Sequence, residues 1–149
     1  MDVRQTMELI AEHFHVDGFG ESEEGLKQLV FDDELVVVFN DKARRDGIWL
    51  EVEIGSLPDE DREGVLKLIL TRNVVAAHKD IPCCALRGDG IILQKFLNVE
   101  TIMSHQIGET VEAFVNHAET WKKLINRRLF KPYGDKTDVR ELFNSLIRP

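Results

Sequence analysis

Residues 26–54 read LKQLVFDDELVVVFNDKARRDGIWLEVEI, and this stretch decides the fold. Apolar residues dominate 26–32 and 35–40, and the acidic residues between them are typical of a tight turn. After a charged turn, Ile48 to Ile54 places apolar side chains at every second position, which is the period of a half-buried strand. The stretch therefore predicts three consecutive antiparallel strands.

Helices and a second hairpin flank these strands. Apolar residues at spacings of three and four predict amphipathic helices, and Asp89-Gly90 between two apolar runs is a strong hairpin signal. Residues 17–25 are acidic and rich in turn formers. The predicted elements are helices at 2–15, 59–73 and 102–128 and strands at 81–86 and 90–97. The predicted fold class is α+β, a five-stranded antiparallel sheet with the order α-βββ-α-ββ-α. A short amphipathic C-terminal helix is also predicted between residues 138 and 147.

The charge of the chain is unevenly distributed. The net charge is -8, with 24 acidic and 11 basic residues in 1–121 but 3 acidic and 8 basic residues in 122–149. Affinity for phosphate backbones comes mainly from Lys and Arg, so the acidic body disfavours nucleic-acid binding. For Arg127, Arg128, Lys131 and Lys136 we expect contact with the acidic body in preference to phosphate.

The compartment follows from the apolar segments and the cysteines. No stretch approaches the roughly 18 apolar residues of a membrane span, and the first residues enter an amphipathic pattern with no apolar signal core. Cys83 and Cys84 are adjacent, and a disulfide between neighbours would be strained. We therefore expect a cytoplasmic protein with reduced thiols and no membrane insertion.

No motif for catalysis or cofactor binding stands out. The sequence has no phosphate-binding glycine loop and no nucleophile elbow. His13 and His15 are two positions apart on a helix and point in different directions, and the acidic clusters lack the spacing of a calcium loop. The sequence therefore predicts a protein that is not an enzyme and has no cofactor or metal.

Two elements carry more apolar residues than one core requires. On the second strand Val36 and Val38 oppose Leu35, Val37 and Phe39, and the second helix is apolar around much of its girth. Surplus apolar surface usually marks a partner site. The alternative is a central strand and helix that are buried on every side.

The sequence also resembles the type III secretion chaperones of the Tir-chaperone (CesT-like) family over roughly residues 4–127. The resemblance rests on LIAEHF at 9–14, LVFDDE at 29–34, IGSLP at 54–58, LILTRN at 68–73, and VEAFV at 111–115 with Glu119 and Trp121. It implies an α+β homodimer that binds the N-terminal segment of a cognate effector in extended form, without nucleotide. It also implies a chaperone domain at 1–128, leaving 129–149 as a basic extension.

Residue roles follow from the resemblance by position. The second helix would form much of the dimer interface, through Val65, Leu68, Ile69 and Arg72. The first helix and first hairpin would bind the effector, through Phe14, Phe31, Val36 and Val38. The second hypothesis is a regulatory protein of the same fold that sequesters a transcriptional regulator or another chaperone.

Overall fold

The computed structural model describes residues 1–126. The predicted C-terminal helix, the extension 129–149 and the basic residues Arg127, Arg128, Lys131 and Lys136 lie outside the described residues. The boundary at residue 128 therefore stays a prediction.

The predicted α+β fold is confirmed in element order and in its antiparallel sheet. The elements are α1 Val3–His13, β1 Gly20–Glu21, β2 Lys27–Phe31, β3 Leu35–Asn40, β4 Gly47–Ser56, α2 Arg62–Lys79, β5 Cys83–Arg87, β6 Gly90–Asn98 and α3 Ser104–Asn126. The strands form one sheet in the order β1-β2-β3-β4-β6-β5. No helix in residues 1–126 combines the length and apolar character needed to cross a membrane.

Two details of the prediction were wrong. The sheet has six strands instead of five, because β1 lies in the stretch assigned to turns. Because both residues of β1 are exposed, the sequence shows no apolar and polar alternation that would predict this strand. Helix α2 continues to Lys79 instead of ending near residue 73, since the residues after Asn73 are compatible with a helix.

The described chain divides into two compact units. The first contains residues 1–52 and 94–116, and the second contains residues 53–93 and the chain from 117 onward. Each is described by itself below.

In the first unit, α1 and strands β2, β3 and β4 supply much of the core. Asp2 accepts from the backbone N–H of Gln5, whose side chain accepts from the N–H of Asp2, and this capping box starts α1. Buried side chains alternate along β3, at Leu35, Val37 and Phe39. A side chain on Gly47 would collide with the carbonyl oxygen of Leu97 and the ring of Phe96, so the close strand packing there requires glycine.

In the second unit, α2 buries one side of its surface. The buried side chains recur at Val65, Ile69, Arg72 and Ala76, with the spacing of one helical face. Ile54, Leu57, Ile91 and Trp121 are also buried in this unit. The other apolar side of α2 is left at the surface.

Candidate partner-binding surfaces

The outer face of the first hairpin carries exposed valines. Strands β2 and β3 pair Val30 with Val36 and Phe31 with Leu35. Leu35 is buried, whereas Val30 is 55% exposed, Val36 is 41% exposed and Val38 is half-buried. We call Val30, Val36 and Val38 the outer valine strip. Val30 was missed from sequence, although its place beside Phe31 in an alternating strand was the signal for it.

Phe14 and Phe31 form a separate contact on the opposite face of the hairpin. Their rings meet edge to face with centroids 5.1 Å apart, and both side chains are half-buried. Phe31 shares the face of buried Leu29, so it points away from the outer valine strip. The four residues predicted to bind an effector are thus in one unit but not in one groove. The structure divides them between the two faces of β2 and β3.

An uncovered stretch of strand edge lies between these two faces. The two residues of β1 pair only with Lys27 and Gln28 of β2. Within residues 1–126, no strand pairs with Leu29–Phe31 on the side away from β3. Every second residue of such an edge directs its N–H and C=O outward, available to another chain.

A contact between α1 and α3 holds the aromatic pair in place. His13 Nε2 lies 2.7 Å from Glu112 Oε1, and its ring packs so closely on Gly108 that a Cβ there would collide with it. The His13 ring also meets Phe14 edge to face, with centroids 4.9 Å apart. Glu112 is 99 residues from His13, so this partner could not be identified from the sequence. The contacts of His13 with α3 therefore fix the end of α1, which Phe14 follows directly.

Three of the four residues predicted for the dimer interface are buried within a single chain. Val65 is 1% exposed, Ile69 is 3% exposed and Arg72 is fully buried, so other residues form the exposed side of α2. Leu68 is half-buried. The sequence could not show which apolar side of α2 faces the core.

The apolar surface that α2 does expose lies at two other residues. Leu70 and Val74 are 64% and 62% exposed and lie one turn apart. We call Leu70 and Val74 the helix strip. Leu86 of β5, in the same unit, is also exposed. Leu70 was within the predicted helix and Val74 was one residue beyond its predicted end, and only their exposure distinguishes them from Val65 and Ile69.

Arg72 belongs to the interior of the second unit. Its Nη1 donates to the carbonyl oxygen of Pro82, and its guanidinium lies 5.1 Å from the ring centre of Trp121. Among residues 1–126, its Nε and Nη2 have no hydrogen-bond partner. Burial lowers the pKa of Arg72 from its ordinary value. Within the single chain this cation therefore packs against Trp121 and links α2 to Pro82.

The side chain of Asn73 covers the edge of β5 at Cys84. The Asn73 side-chain amide donates to the carbonyl oxygen of Cys84 and accepts from its N–H, each at 2.8 Å. Cys84 can therefore not pair with an added strand through these groups. Its thiol is also buried, which raises the pKa of Cys84 to about 12.

The described residues offer no arrangement that points to a metal or reactive centre. Residues 1–126 contain no group of three or more His, Cys, Asp or Glu side chains that could hold a metal ion. Cys83 and Cys84 are free thiols. Arg62 pairs with Asp89 at the surface, where its hydrogen bond lowers the pKa of Asp89.

Comparisons with known proteins agree with this fold. The structure of the ExsC–ExsE complex is 19% identical, with 83% of this chain and 96% of that chain covered at a TM-score of 0.66. The Yersinia pestis type III secretion chaperone SycH, in complex with a stable fragment of YscM2, is 20% identical, with coverage of 78% and 97% and a TM-score of 0.62. The HopA1–SchA chaperone-effector complex is 8% identical, with coverage of 80% and 92% and a TM-score of 0.65. At these identities the likeness shows the fold.

The family itself is shown by sequence. Among curated proteins, no significant match was found. The model of the Tir chaperone protein (CesT) family, however, matches residues 5–122. Because this match spans most of the chain, the chain belongs to the Tir chaperone protein (CesT) family.

Proposed function

We propose that this protein is a cytoplasmic type III secretion chaperone that binds the N-terminal segment of a secreted effector in extended form. It acts as a homodimer and needs no catalysis, nucleotide or metal. The observation that carries the proposal is the uncovered edge of β2 at Leu29–Phe31, with apolar side chains on both faces beside it.

An extended peptide matches both features of this edge. Its backbone can bond to the outward N–H and C=O groups of β2, as in other cases of strand addition. Its side chains then alternate between the two faces, one set toward the outer valine strip and the other toward Phe14 and Phe31. The division of the predicted residues between two faces is therefore what an added strand requires.

The solved relatives support a protein as the ligand. The same fold occurs in the HopA1–SchA chaperone-effector complex, in SycH with a fragment of YscM2, and in the ExsC–ExsE complex. No feature of residues 1–126 separately favours the alternative of a regulator-sequestering protein, and the identity of the bound protein distinguishes the two.

The helix strip supports a second copy of the chain as the other partner. Leu70, Val74 and Leu86 are exposed apolar side chains in the second unit, and Leu68 beside them is half-buried. A twofold interface places the same patch of both subunits in contact, so a helical surface of this kind can pair with itself. A stable dimer buries about 800 Å² per subunit, so the strip would be its apolar centre.

The test is to recover the tagged protein from its native host with chelator present and nucleotide depleted. The bound protein is identified by mass spectrometry, and the segment protected from protease is sequenced. We expect a secreted protein held through its N-terminal region. Recovery of a transcriptional regulator would favour the alternative, and loss of the partner on chelation would contradict binding without metal.

A further inference from the structure

A pocket of about 490 Å³ lies between the start of α1 and the loop that joins β3 to β4. We call this pocket the basic corner. It is lined by Asp2, Val3 and Arg4 and by the loop residues 41–45, all within the first unit. The family resemblance assigned no role to any of these residues.

The charge of the basic corner contrasts with the unit around it. Residues 1–52 and 94–116 contain sixteen acidic but only six basic side chains. Four of these six line the corner, namely Arg4, Lys42, Arg44 and Arg45. Most of the cationic side chains of this acidic unit therefore lie at one place, which favours an anionic ligand there.

The loop that carries three of these cations has a fixed shape. The side-chain oxygen of Asn40 accepts from the backbone N–H groups of Lys42 and Ala43, at 3.2 and 3.1 Å. Lys42 Nζ donates to the carbonyl oxygen of Gly25. The Arg44 guanidinium donates two hydrogen bonds to the Asp46 carboxylate and lies 4.5 Å from the centre of the Phe96 ring. Arg45 has no ion-pair partner in residues 1–126, so its charge is free for a ligand.

Arg4 occupies a position that does not favour a cation. It is the second residue of α1, where the helix dipole is positive, and its ion pair with Glu8 is highly exposed. Exposed pairs of this kind contribute about 0–1 kcal/mol. The helix N-terminus and Arg4 would both be stabilised by an anion bound at the corner.

We propose that the basic corner binds an acidic, Asp- and Glu-rich segment of a partner protein. Its cations are exposed and divided between α1 and a loop, with Asp2 and Asp41 among them, which disfavours a compact dianion such as phosphate. A peptide can place separate carboxylates against separate cations. Exposed charges are screened beyond about 8–10 Å. Arg4 and Arg44 are paired with Glu8 and Asp46, so Lys42 and Arg45, which have no ion-pair partner within residues 1–126, would contribute most to binding.

The basic corner is separate from the surface proposed to bind the effector. Asp41 directly follows β3, three residues after Val38 and five after Val36, which is roughly 10 Å and 17 Å in a strand. A ligand at the corner therefore leaves the outer valine strip and the β2 edge unoccupied. The corner would serve a second protein contact of the chaperone.

The test is fluorescence anisotropy of a labelled glutamate-rich peptide, with its glutamine counterpart as reference. We expect the unchanged protein to bind the glutamate peptide but not the glutamine peptide. Arg45→Glu should bind the glutamate peptide about tenfold more weakly, and Lys42→Gln should show a smaller loss of affinity. Lys67→Glu is the matched control, because Lys67 is an exposed lysine of the second unit. It should bind as the unchanged protein does.

Phosphate and self-association provide the opposing outcomes. Inorganic phosphate should displace the peptide no better than chloride at equal ionic strength, and stronger displacement would identify a phosphate site instead. Equal binding of the glutamine peptide, or an equal loss in Lys67→Glu, would overturn the proposal. It would also be overturned if Arg45→Glu changed only the sedimentation of the protein, which would make the corner a contact between copies.

Discussion

The two units each expose apolar side chains, but they differ in what their backbone offers beside those side chains. In the first unit the outer valine strip borders Leu29–Phe31 of β2, where β1 leaves the strand edge uncovered. In the second unit the helix strip borders β5, where Asn73 occupies the backbone groups of Cys84. An uncovered strand edge can accept an extended chain, whereas a helix offers only side chains. Similar apolar surfaces therefore suit different partners, an unfolded segment in one unit and a second folded copy in the other.

The largest effect is expected from Val74→Lys in the helix strip. A lysine at the centre of a dimer interface would lose its hydration without a partner charge, so we expect self-association to weaken by at least about a hundredfold. Sedimentation velocity at micromolar concentration measures this. Glu63→Lys, an exposed change on the same helix, is the control and should remain dimeric. A monomeric unchanged protein would contradict the dimer proposal.

The second effect is expected from Asn73→Ala, which removes the cover of the β5 edge. The change eliminates two hydrogen bonds and leaves the Cys84 backbone groups unsatisfied, at a cost of about 2–3 kcal/mol in the free energy of unfolding. Urea denaturation measures the loss. Asn40→Ala also removes two bonds to backbone N–H groups, but in an exposed loop, and should cost less than about 1 kcal/mol. Equal losses in the two variants would show that Asn73 has no special role at the edge.

A third effect is expected from Val36→Lys in the outer valine strip. The lysine removes an exposed apolar contact but can keep its charge in water, so we expect partner affinity to fall about tenfold while the dimer persists. Titration calorimetry with the identified effector segment measures the affinity. Together with Val74→Lys, this variant separates the two surfaces. Loss of both partner and dimer in either variant would mean that the surfaces are not independent.

The smallest change is expected at Cys84, which should resist alkylation. With its pKa raised to about 12 by burial, only about one thiol in ten thousand is ionised at pH 8. Iodoacetamide should therefore modify half-buried Cys83 first, as peptide mass spectrometry would show. Cys84 should become reactive in Asn73→Ala if that variant opens β5. Rapid modification of Cys84 in the unchanged protein would contradict a closed edge.

The sequence predicted the elements well because alternation and helical spacing are local signals. Ile48 to Ile54 and the Asp89-Gly90 turn each needed only their neighbours to be interpreted. The candidate sites depended on contacts between distant residues. Asn73 forms hydrogen bonds with Cys84, and His13 contacts Glu112. The local spacing of residues does not indicate either contact.

The dimer residues show a different limit of sequence reasoning. Helix α2 is apolar on two sides, so the pattern could not tell the core side, with Val65 and Ile69, from the exposed side, with Leu70 and Val74. Arg72 was assigned to the dimer interface by its position in the family resemblance, whereas it is fully buried in a single chain. Its position over Trp121 depends on tertiary packing, which the sequence does not display.

Amide hydrogen exchange of the chaperone, free and bound to its co-purified effector, tests the central claim most directly. An effector segment added to the β2 edge would shield outward amides of that strand, so exchange in peptides covering Lys27–Phe31 should slow strongly on binding. Exchange in peptides covering Cys83–Arg87 should not change. Protection confined to β5 or α2, with β2 exchanging as in the free protein, would contradict the account.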